Sequence, residues 1–575
     1  MKKTFSKSAI LNTEVNFKNR VFESEIEEFN PHLENEEGIT FLNCIFKSKI
    51  HLKNIKTYDI TFIKCEFYNQ LILEEIEAES IVLGDCEFDE KVILLNNSIN
   101  TLSVDECESK EAIFINGEYN ELLINSTKAD LINILNVNSS SNLKNSSIEF
   151  FGKNEIKKLE FECESVFSKI IFRQTGTYDS ISFEGEYNNQ ILFEGKINCE
   201  NLFFSSSLIN NRIDIKKGFF KYLSFSRSSF NGLIWIHDLE NSEENGKNIE
   251  INRLTLHSNL FREDVSIGNV KIKDLNLSNN SFEKLFTFNT YNENVSALEE
   301  IWLSFDGVNQ GSVLIQGIKC YLSLEGINFG SVIFRNITFS ELLINDYQNK
   351  GSISFFNTLP EGWFTIQDST TGNMEFLNSN VNLFDEIVIA NSNIESIHFN
   401  HYLKNIKSYS SNSKVGYGIK DKSKNRNNLR SVYNQLKQVA RKRGNVDELT
   451  KYKALEYKQL LLDKKLNLDK LLLILNWTSN DNNRSWFRGI LFTLTTGLIF
   501  FSAYLYTLEV KIDFKEKLFW TDYVLFISSF PKFSIEKYSQ YNSIWSVSLV
   551  IWLSRIFISY GIYQTIVAFR KFGKN

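Results

Sequence analysis

The stretch TFIKCEFYNQLILEEIEAESIVLGDCEFDE, residues 61–90, contains nearly the same phrase twice, Lys-Cys-Glu-Phe around Cys65 and Asp-Cys-Glu-Phe around Cys86. Cys44 and Cys107 extend the series, so that four of the 7 cysteines in the chain fall every 21 residues. Three interpretations of this spacing compete: metal ligands, disulfide partners, or one position of a repeated structural unit.

A similar interval runs through the first 400 residues. Phrases of the form Leu/Ile-x-Phe or Leu/Ile-x-Leu return mostly at steps of 21 residues; they begin at Leu159, Ile181, Leu202, Leu223, Leu254, Leu275, Ile301 and Leu322, and LLINDYQ follows at Leu342. Within each unit, apolar and polar residues alternate over short runs, which is a strand pattern. Such runs are too short for a free sheet, but they suit the sides of a stacked coil, meaning one turn of a solenoid.

The sequence therefore predicts a mainly β protein with a β-solenoid over residues 39–405. Main-chain hydrogen bonds would join coils about 4.8 Å apart, which gives roughly 17 coils and a rod on the order of 80 Å. Asn96, Asn97, Asn279 and Asn280 fit the corners of such coils, because Asn tolerates a left-handed backbone and can form ladders.

Stacking also accounts for the cysteines, because positions one period apart lie directly above each other. Cys44, Cys65, Cys86 and Cys107 would form a structural ladder of small, inward, apolar thiols. Disulfides need Cβ atoms about 3.8 Å apart, less than the spacing between coils. The sequence has no C-x-x-C pair for zinc, and an odd number of cysteines without a visible secretion signal fits a reducing compartment. We therefore favour the ladder over metal ligands or disulfides.

These phrases resemble the bacterial pentapeptide-repeat and related right-handed β-solenoid proteins, in which Phe or Leu and small residues stack in inward columns. The resemblance covers about residues 39–400 and implies a right-handed solenoid. A strict five-residue pattern would give coils of four such units, which are slightly shorter than the interval found in this chain.

Charge divides the chain into two parts. Residues 1–400 hold 58 Asp and Glu against 34 Lys and Arg, a net of −24, whereas residues 401–575 hold 12 against 29, a net of +17. The basic part also contains the long apolar runs, which favours a membrane surface over nucleic acid. We expect an N-terminal cap or arm at 1–38 and a linker at 406–424.

Residues 425–484 are predicted to form a basic helical hairpin. Apolar residues recur at helical spacing before and after Gly444-Asn445, which would end the first helix. The basic residues on it are Arg430, Lys437, Arg441, Lys442 and Arg443. They permit nucleic-acid binding, but basic residues near an apolar span more often face anionic lipid or an acidic partner, or are simply solvated.

Residues 485–575 are predicted to be a membrane module with spans at 489–508 and 544–569. The first span has no charged residue and the second has one. Both are long enough to cross a bilayer, for which about 20 apolar residues suffice. Tryptophans flank the spans, and Arg or Lys lies before the first span and after the second. We therefore expect a multi-pass cell-membrane protein with the solenoid and the C-terminus in the cytoplasm.

Arg555 is the charge within the second span. On a helix it shares a face with Ser548, Ser559 and Tyr563, and a charge at mid-depth normally faces protein or water. This face is a candidate for subunit assembly or for lining a pore, and both interpretations stay open.

An apolar stretch too short to cross, 520–530, lies between the spans. Span, half-length segment and span are the layout of a two-helix cation channel. The hairpin LRSVYNQLKQVARKRGN, the entry RSWFRGILFT and the ending AFRKFGK resemble the channel-like module that follows pentapeptide repeats in bacterial proteins. A potassium filter is not carried over, because SSFPKF at 528–533 stands where T-x-G-Y-G would be.

The sequence shows no catalytic or paired-histidine metal constellation, so we expect a non-enzyme without a cofactor. The first hypothesis is a membrane-anchored interaction scaffold or sensor with homo-oligomeric spans. Its partners would be the lipid bilayer and an unidentified protein that binds the acidic solenoid, and nucleic acid is disfavoured. The second hypothesis is a pore-forming or ion-channel-like effector gated by the solenoid. The third, which the membrane tether disfavours, is a mimic of DNA.

Overall fold

The structure, a computed structural model, describes residues 3–5, 16–27, 38–138, 146–162, 168–238, 249–289, 300–409, 421–463, 467–482, 484–510, 512–528 and 545–570. The chain divides into two compact units. The first consists of Met1–Phe364, Asn373–Asp385 and Phe399–His401, and the second of Thr365–Gly372, Glu386–His398 and Tyr402–Asn575.

The described residues contain short strands that pair in parallel with strands about one coil away. Those in the first third are Lys3–Phe5, Asn16–Lys18, Arg20–Phe22, Ile26–Glu27, Ile39–Leu42, Ile45–Phe46, Ile50–Lys53, Lys56–Ile63, Glu66–Phe67, Leu71–Glu74, Glu77–Gly84, Glu87–Phe88, Val92–Asp105, Glu108–Asn125 and Lys128–Asn138. Those that follow up to residue 289 are Ser147–Phe151, Asn154–Glu162, Lys169–Phe172, Gly176–Tyr187, Gln190–Phe193, Ile197–Ile209, Ile213–Ile215, Gly218–Ser226, Ser229–Phe230, Ile234–His237, Ile249–His257, Leu260–Phe261, Val265–Gly268, Lys271–Ser278 and Ser281–Asn289. The last are Ile301–Asp306, Val308–Gln316, Lys319–Asn328, Ser331–Arg335, Thr338–Asn349, Ser352–Phe356, Leu359–Gln367, Asn373–Leu377, Glu386–Ala390, Ile397–Phe399 and Ile406–Lys407, with a 3₁₀ turn at Val381–Leu383.

The predicted β-solenoid of about 21-residue coils is confirmed, with about 17 turns. Ile181 lies opposite Leu202, and Leu202 lies opposite Leu223, 21 residues apart each time. Phenylalanine rings stack in the same register: the ring centroids of Phe41 and Phe62 are 4.7 Å apart, with their planes 5° from parallel. This spacing is the distance between neighbouring strands, so the high phenylalanine content forms inward columns.

Coil length is less uniform than the sequence interval indicates. Ser226 lies opposite His257, well beyond one interval along the chain, because extra residues are inserted between the paired strands. Ile301 lies opposite Cys320, so this coil is shorter than the interval and Leu322 pairs with Leu303. The prediction that Ile301 and Leu322 are equivalent is therefore wrong by two positions.

Corners of the coil use left-handed backbone, and a buried donor follows many of them. Asn96 and Asn279 have φ angles of 51° and 55°. Asn97 and Asn280, for which the sequence also predicts corner positions, instead point inward and are each 1% exposed. The Nδ2 of Asn280 donates a 2.7 Å hydrogen bond to Leu256 O in the preceding coil.

The four periodic cysteines occupy the equivalent inward position at a second corner of the coil. Cys86 Sγ donates to Phe62 O at 3.4 Å, and Cys107 Sγ donates to Leu83 O at 3.2 Å. Ser207, in the column of Asn280, makes the same kind of bond, with its Oγ 2.8 Å from Phe183 O. The thiols of Cys44, Cys65, Cys86 and Cys107 are therefore buried donors to main-chain carbonyls as well as small fillers, and all four are free thiols.

Part of the segment expected to be a cap or arm, residues 1–38, pairs with the first coils. Strand Asn16–Lys18 pairs with Ile39–Leu42, and Arg20–Phe22 pairs with Ile45–Phe46. The Phe17 ring stacks on Phe41 with centroids 4.8 Å apart. The described parts of this segment thus continue the stack toward the N-terminus; the rest of it, and residues 410–420 of the expected linker, lie outside the described residues.

The described part of the C-terminal region contains six α-helices. They are α1 (Lys422–Lys442), α2 (Val446–Asp463), α3 (Leu468–Asn480), α4 (Trp486–Thr507), α5 (Lys517–Ser528) and α6 (Trp545–Arg570). Helices α1 and α2 correspond to the expected hairpin, with Gly444 at φ 71° between them. Helix α3 lies within residues 425–484, for which the sequence predicts only the two helices of the hairpin.

Within the second unit, α1 closes the open edge of strand Glu386–Ala390. The pairing of this strand with Ile406–Lys407 ends at Val388. Beyond that point Asn428 donates to Ile389 O at 2.6 Å and accepts from Asn391 N at 2.8 Å. Gln435 repeats the arrangement on Ile394 N and Ser392 O. Side-chain amides thus replace the main chain of a further coil, which leaves no unpaired strand edge at these positions.

The capping role of Asn428 is testable by Asn428→Leu, with Asn427→Leu on the exposed side of α1 as the matched control. Asn428→Leu leaves the buried carbonyl of Ile389 and the N–H of Asn391 without this partner, so the free energy of opening should fall by about 1–3 kcal/mol. Hydrogen exchange of residues 386–394 in the full-length protein measures this. Equal protection in both variants would contradict the cap.

Candidate functional site

Two helices are long and apolar enough to cross a membrane, namely α4 and α6. At 1.5 Å per residue they are about 33 and 39 Å long, compared with about 30 Å of hydrocarbon in a bilayer. Their bounds agree with the predicted spans, 489–508 and 544–569, to within three residues. Of their most apolar windows, only 33% of α4 and 22% of α6 is buried, whereas the core helix of a soluble protein is mostly buried.

Small residues bring α4 and α6 close together. A methyl group on Gly489 would lie 3.1 Å from Thr565 Cα, and one on Gly561 would overlap Thr493 Oγ1 and lie 3.2 Å from Thr493 Cα. Each helix therefore presents a glycine to a threonine of the other. Close contact through small residues is how helices associate in lipid, where no hydrophobic force drives them together.

Helix α5, which contains 12 residues, is too short to cross a bilayer. Tyr523 donates from its hydroxyl to Leu494 O of α4 at 2.5 Å, and Gly497 of α4 leaves room for Ile527. Phe526 is fully buried in the apolar core that α4, α5 and α6 share. The C-terminal end of α5 therefore packs near the middle of α4.

Arg555 is directed at the C-terminal end of α5. Its Nη1 donates to Phe526 O at 3.0 Å, and its guanidinium lies 5.5 Å from the centroid of the Phe526 ring. The last four carbonyls of a helix lack partners within the helix, and a cation there interacts favourably with the helix dipole. Arg555 lies near the middle of α6, so α5 ends near the middle of both long helices.

The four residues of the predicted face do not share one environment. Ser548 is exposed and Tyr563 is 61% exposed. Ser559 donates from its hydroxyl to Arg555 O, which is a bond to the main chain of its own helix. The structure therefore does not bring these side chains together as one polar surface.

A buried polar cluster between α3 and α6 was missed by the sequence analysis. Asn476 Oδ1 accepts from Tyr560 Oη at 2.7 Å and from Gln564 Nε2 at 2.9 Å. Asn480 donates to Gln564 Oε1 at 2.5 Å. Gln564 is the single amide side chain within the two predicted spans. A buried amide among apolar residues requires a polar partner, so Gln564 is the one sequence feature that could have indicated this cluster.

The basic residues of the hairpin are partly engaged in packing. Lys437 of α1 pairs with Glu456 of α2 at 2.6 Å, with both side chains less than one fifth exposed. Arg443 donates to Ile397 O at 3.3 Å. Arg430, Arg441, Lys442 and Arg443 are exposed. Of the five basic residues, Lys437 is therefore the one withdrawn from the surface by packing, and Arg443 is exposed but tied to a main-chain carbonyl.

Among the described residues, no group of three or more His, Cys, Asp or Glu side chains is arranged to hold a metal ion. In comparisons with known proteins, no family model, curated protein or solved structure matches the chain.

Gly561→Val tests the close approach of α4 and α6, with Ile562→Val on the exposed side of the same turn as the control. The added methyl groups meet Thr493, and overpacking of this kind typically costs about 1–3 kcal/mol. Hydrogen exchange of α4 and α6 in the full-length protein in detergent should show that loss for Gly561→Val only. A loss of the same size in the control would contradict a specific contact.

Proposed function

We propose that the protein is a membrane-anchored β-solenoid that acts as an interaction scaffold or sensor, without enzymatic activity. The observation that carries this proposal is the α4–α6 pair, in which glycine and threonine residues make the contact while large apolar side chains remain exposed. Ile499 of α4 is 60% exposed and Trp552 of α6 is 61% exposed. Lipid chains would cover these surfaces in a bilayer.

The coil surface supports a protein partner better than imitation of DNA. Lysines stack one coil from carboxylates and pair with them, as in Lys53–Glu74 at 2.7 Å and Lys128–Glu108 at 2.8 Å. Such exposed pairs contribute little stability, but they interrupt the continuous negative charge that a mimic of DNA needs. Aromatic side chains also reach the surface, including Trp302, 58% exposed and stacked on Tyr321. Exposed Trp, Tyr and Arg are typical of protein interfaces.

Kinship with the bacterial pentapeptide-repeat proteins, the right-handed winding and a homo-oligomer of the spans are part of this proposal. So is a topology with the solenoid and the C-terminus in the cytoplasm, which Arg484, Arg488 and Arg570 at one end of the helix pair support.

A second candidate function, a pore or channel-like effector, is favoured by the position of α5. This short helix ends near the middle of α4 and α6, where a re-entrant pore helix would end. Arg555 holds that end at Phe526 O. In the scaffold proposal the same contact is structural.

Arg555→Leu discriminates the two functions, with Arg570→Leu at the end of α6 as the control for charge. Full-length protein and both variants are reconstituted in liposomes, recovered by flotation and tested for ion flux. The scaffold proposal predicts that all three float with the vesicles and that none conducts, because Arg555 serves only to cap α5. Flux through the unmodified protein that Arg555→Leu changes and Arg570→Leu does not would replace the scaffold with a pore.

A further inference from the structure

The first two turns of α3 carry an apolar surface that is largely exposed. Leu468 is 80% exposed, Leu471 52% and Leu472 55%. Their spacing of three and four residues places them side by side on the helix. Leu468 is followed by Asp469 and Lys470, so the helix is amphipathic at this end. Three adjacent exposed leucines form a patch, unlike single exposed leucines, which are ordinary on a soluble surface.

The other end of α3 is held at a defined level along α6. Asn476 and Asn480 bond to Gln564, which lies six residues before α6 ends at Arg570. Six helical residues correspond to about 9 Å along the axis. The C-terminal turn of α3 thus lies close to the end of α6 and not at its middle.

The start of α4 lies at this same level. The Trp486 ring stacks on Phe569 with centroids 4.8 Å apart, and Arg488 follows in the first turn of α4. Trp477 of α3 is 45% exposed nearby in the chain. Tryptophan and arginine at the ends of spanning helices mark the boundary between lipid headgroups and hydrocarbon.

We infer that α3 is an interfacial helix whose leucine surface inserts into the bilayer leaflet where α4 begins and α6 ends. The occupant of the Leu468, Leu471 and Leu472 surface is lipid, with acyl chains against the leucines. The headgroups lie near Lys470 and Arg488. This inference rests on the proposed membrane anchor. Amphipathic helices of this kind bury their apolar face about 5–10 Å into the boundary between headgroups and acyl chains. This depth is comparable to the ~9 Å between Gln564 and the end of α6.

Lipid is favoured over a second protein because the leucine surface of α3 adjoins the part of α6 that faces lipid in the proposed anchor. The leucine surface belongs to a helix that is hydrogen-bonded to α6, and α6 carries lipid on its exposed face in the proposed anchor. The polar atoms of Asn476 and Asn480 are turned to α6, so the leucine surface is not needed for the contact with α6. The helix also joins α2 to α4, so the hairpin that caps strand Glu386–Ala390 is connected to the bilayer surface through α3.

The experiment measures the depth of single fluorophores in full-length protein reconstituted in liposomes. The fluorophore is attached at Leu472→Cys or Leu471→Cys on α3, at Ile499→Cys on α4, or at Leu359→Cys, a 59% exposed solenoid position. The six described native cysteines are buried, and burial raises the pKa of Cys199 to about 12, which keeps its thiol protonated. The unsubstituted chain measures any background labelling.

Quenching by phospholipids with a nitroxide near the headgroup is compared with quenching by phospholipids with one near the chain end. The inference predicts that both α3 probes are quenched, and more strongly by the nitroxide near the headgroup. The Ile499 probe should be quenched more strongly by the nitroxide near the chain end. The Leu359 probe should be quenched by neither.

Quenching at Ile499 without quenching at either α3 position would overturn the inference and leave the anchor standing; this is the result if a second copy of the chain covers α3. Stronger quenching of the α3 probes by the deep nitroxide would also overturn the interfacial placement. An Ile499 probe that neither nitroxide quenches would overturn the anchor and the inference with it.

Discussion

The main-chain hydrogen bonds from each coil to the next are the constraint on which the rest of the structure depends. A buried N–H or carbonyl without a partner is costly, so each strand needs another strand one coil away. Equivalent positions then lie one strand spacing apart, and identical side chains meet there, as the Phe183 and Phe204 rings do with centroids 4.8 Å apart. Corners admit a left-handed residue such as Asp85, and the residue after it turns inward and bonds to the preceding coil, as Cys86 does.

The same constraint explains why helices follow the strands. Strand Glu386–Ala390 has a partner in Ile406–Lys407 for only part of its length. Asn428 and Gln435 of α1 provide the remaining donors and acceptors. These two polar residues lie close to the apolar stripe of α1, beside Val432 and Leu436, because the surface that they cover is the edge of a strand and not a hydrophobic face.

Features that repeat or extend locally could be predicted from the sequence. The 21-residue interval predicts the solenoid, because strands that pair one coil away must recur at the coil length. The uninterrupted apolar runs predict α4 and α6. The prediction was wrong where coil length changes, as at Ile301, because a phrase such as Leu-x-Leu looks the same when it is shifted by two residues. The sequence also does not show which residue of each Asn-Asn pair takes the left-handed corner, because Asn97 and Asn280 are the same residue type as their left-handed neighbours.

Contacts between distant residues escaped prediction. The partner of Gln564 is Asn476, 88 residues earlier, and neither position repeats. The partner of Arg555 is the main-chain carbonyl of Phe526, which no side-chain pattern reveals. Helical spacing placed Arg555 on one face with Tyr563, but it carries no information on which neighbouring helix each side chain meets.

The central claim is that α4 and α6 both span a bilayer and hold the solenoid on one side of it. The most direct measurement is thiol labelling in intact cells with a reagent that does not cross membranes, using Lys515→Cys between α4 and α5 and Leu359→Cys on the solenoid. The account predicts that Lys515→Cys is labelled from outside and that Leu359→Cys is labelled only after the membrane is permeabilised. Labelling of both positions under the same condition would contradict two spans.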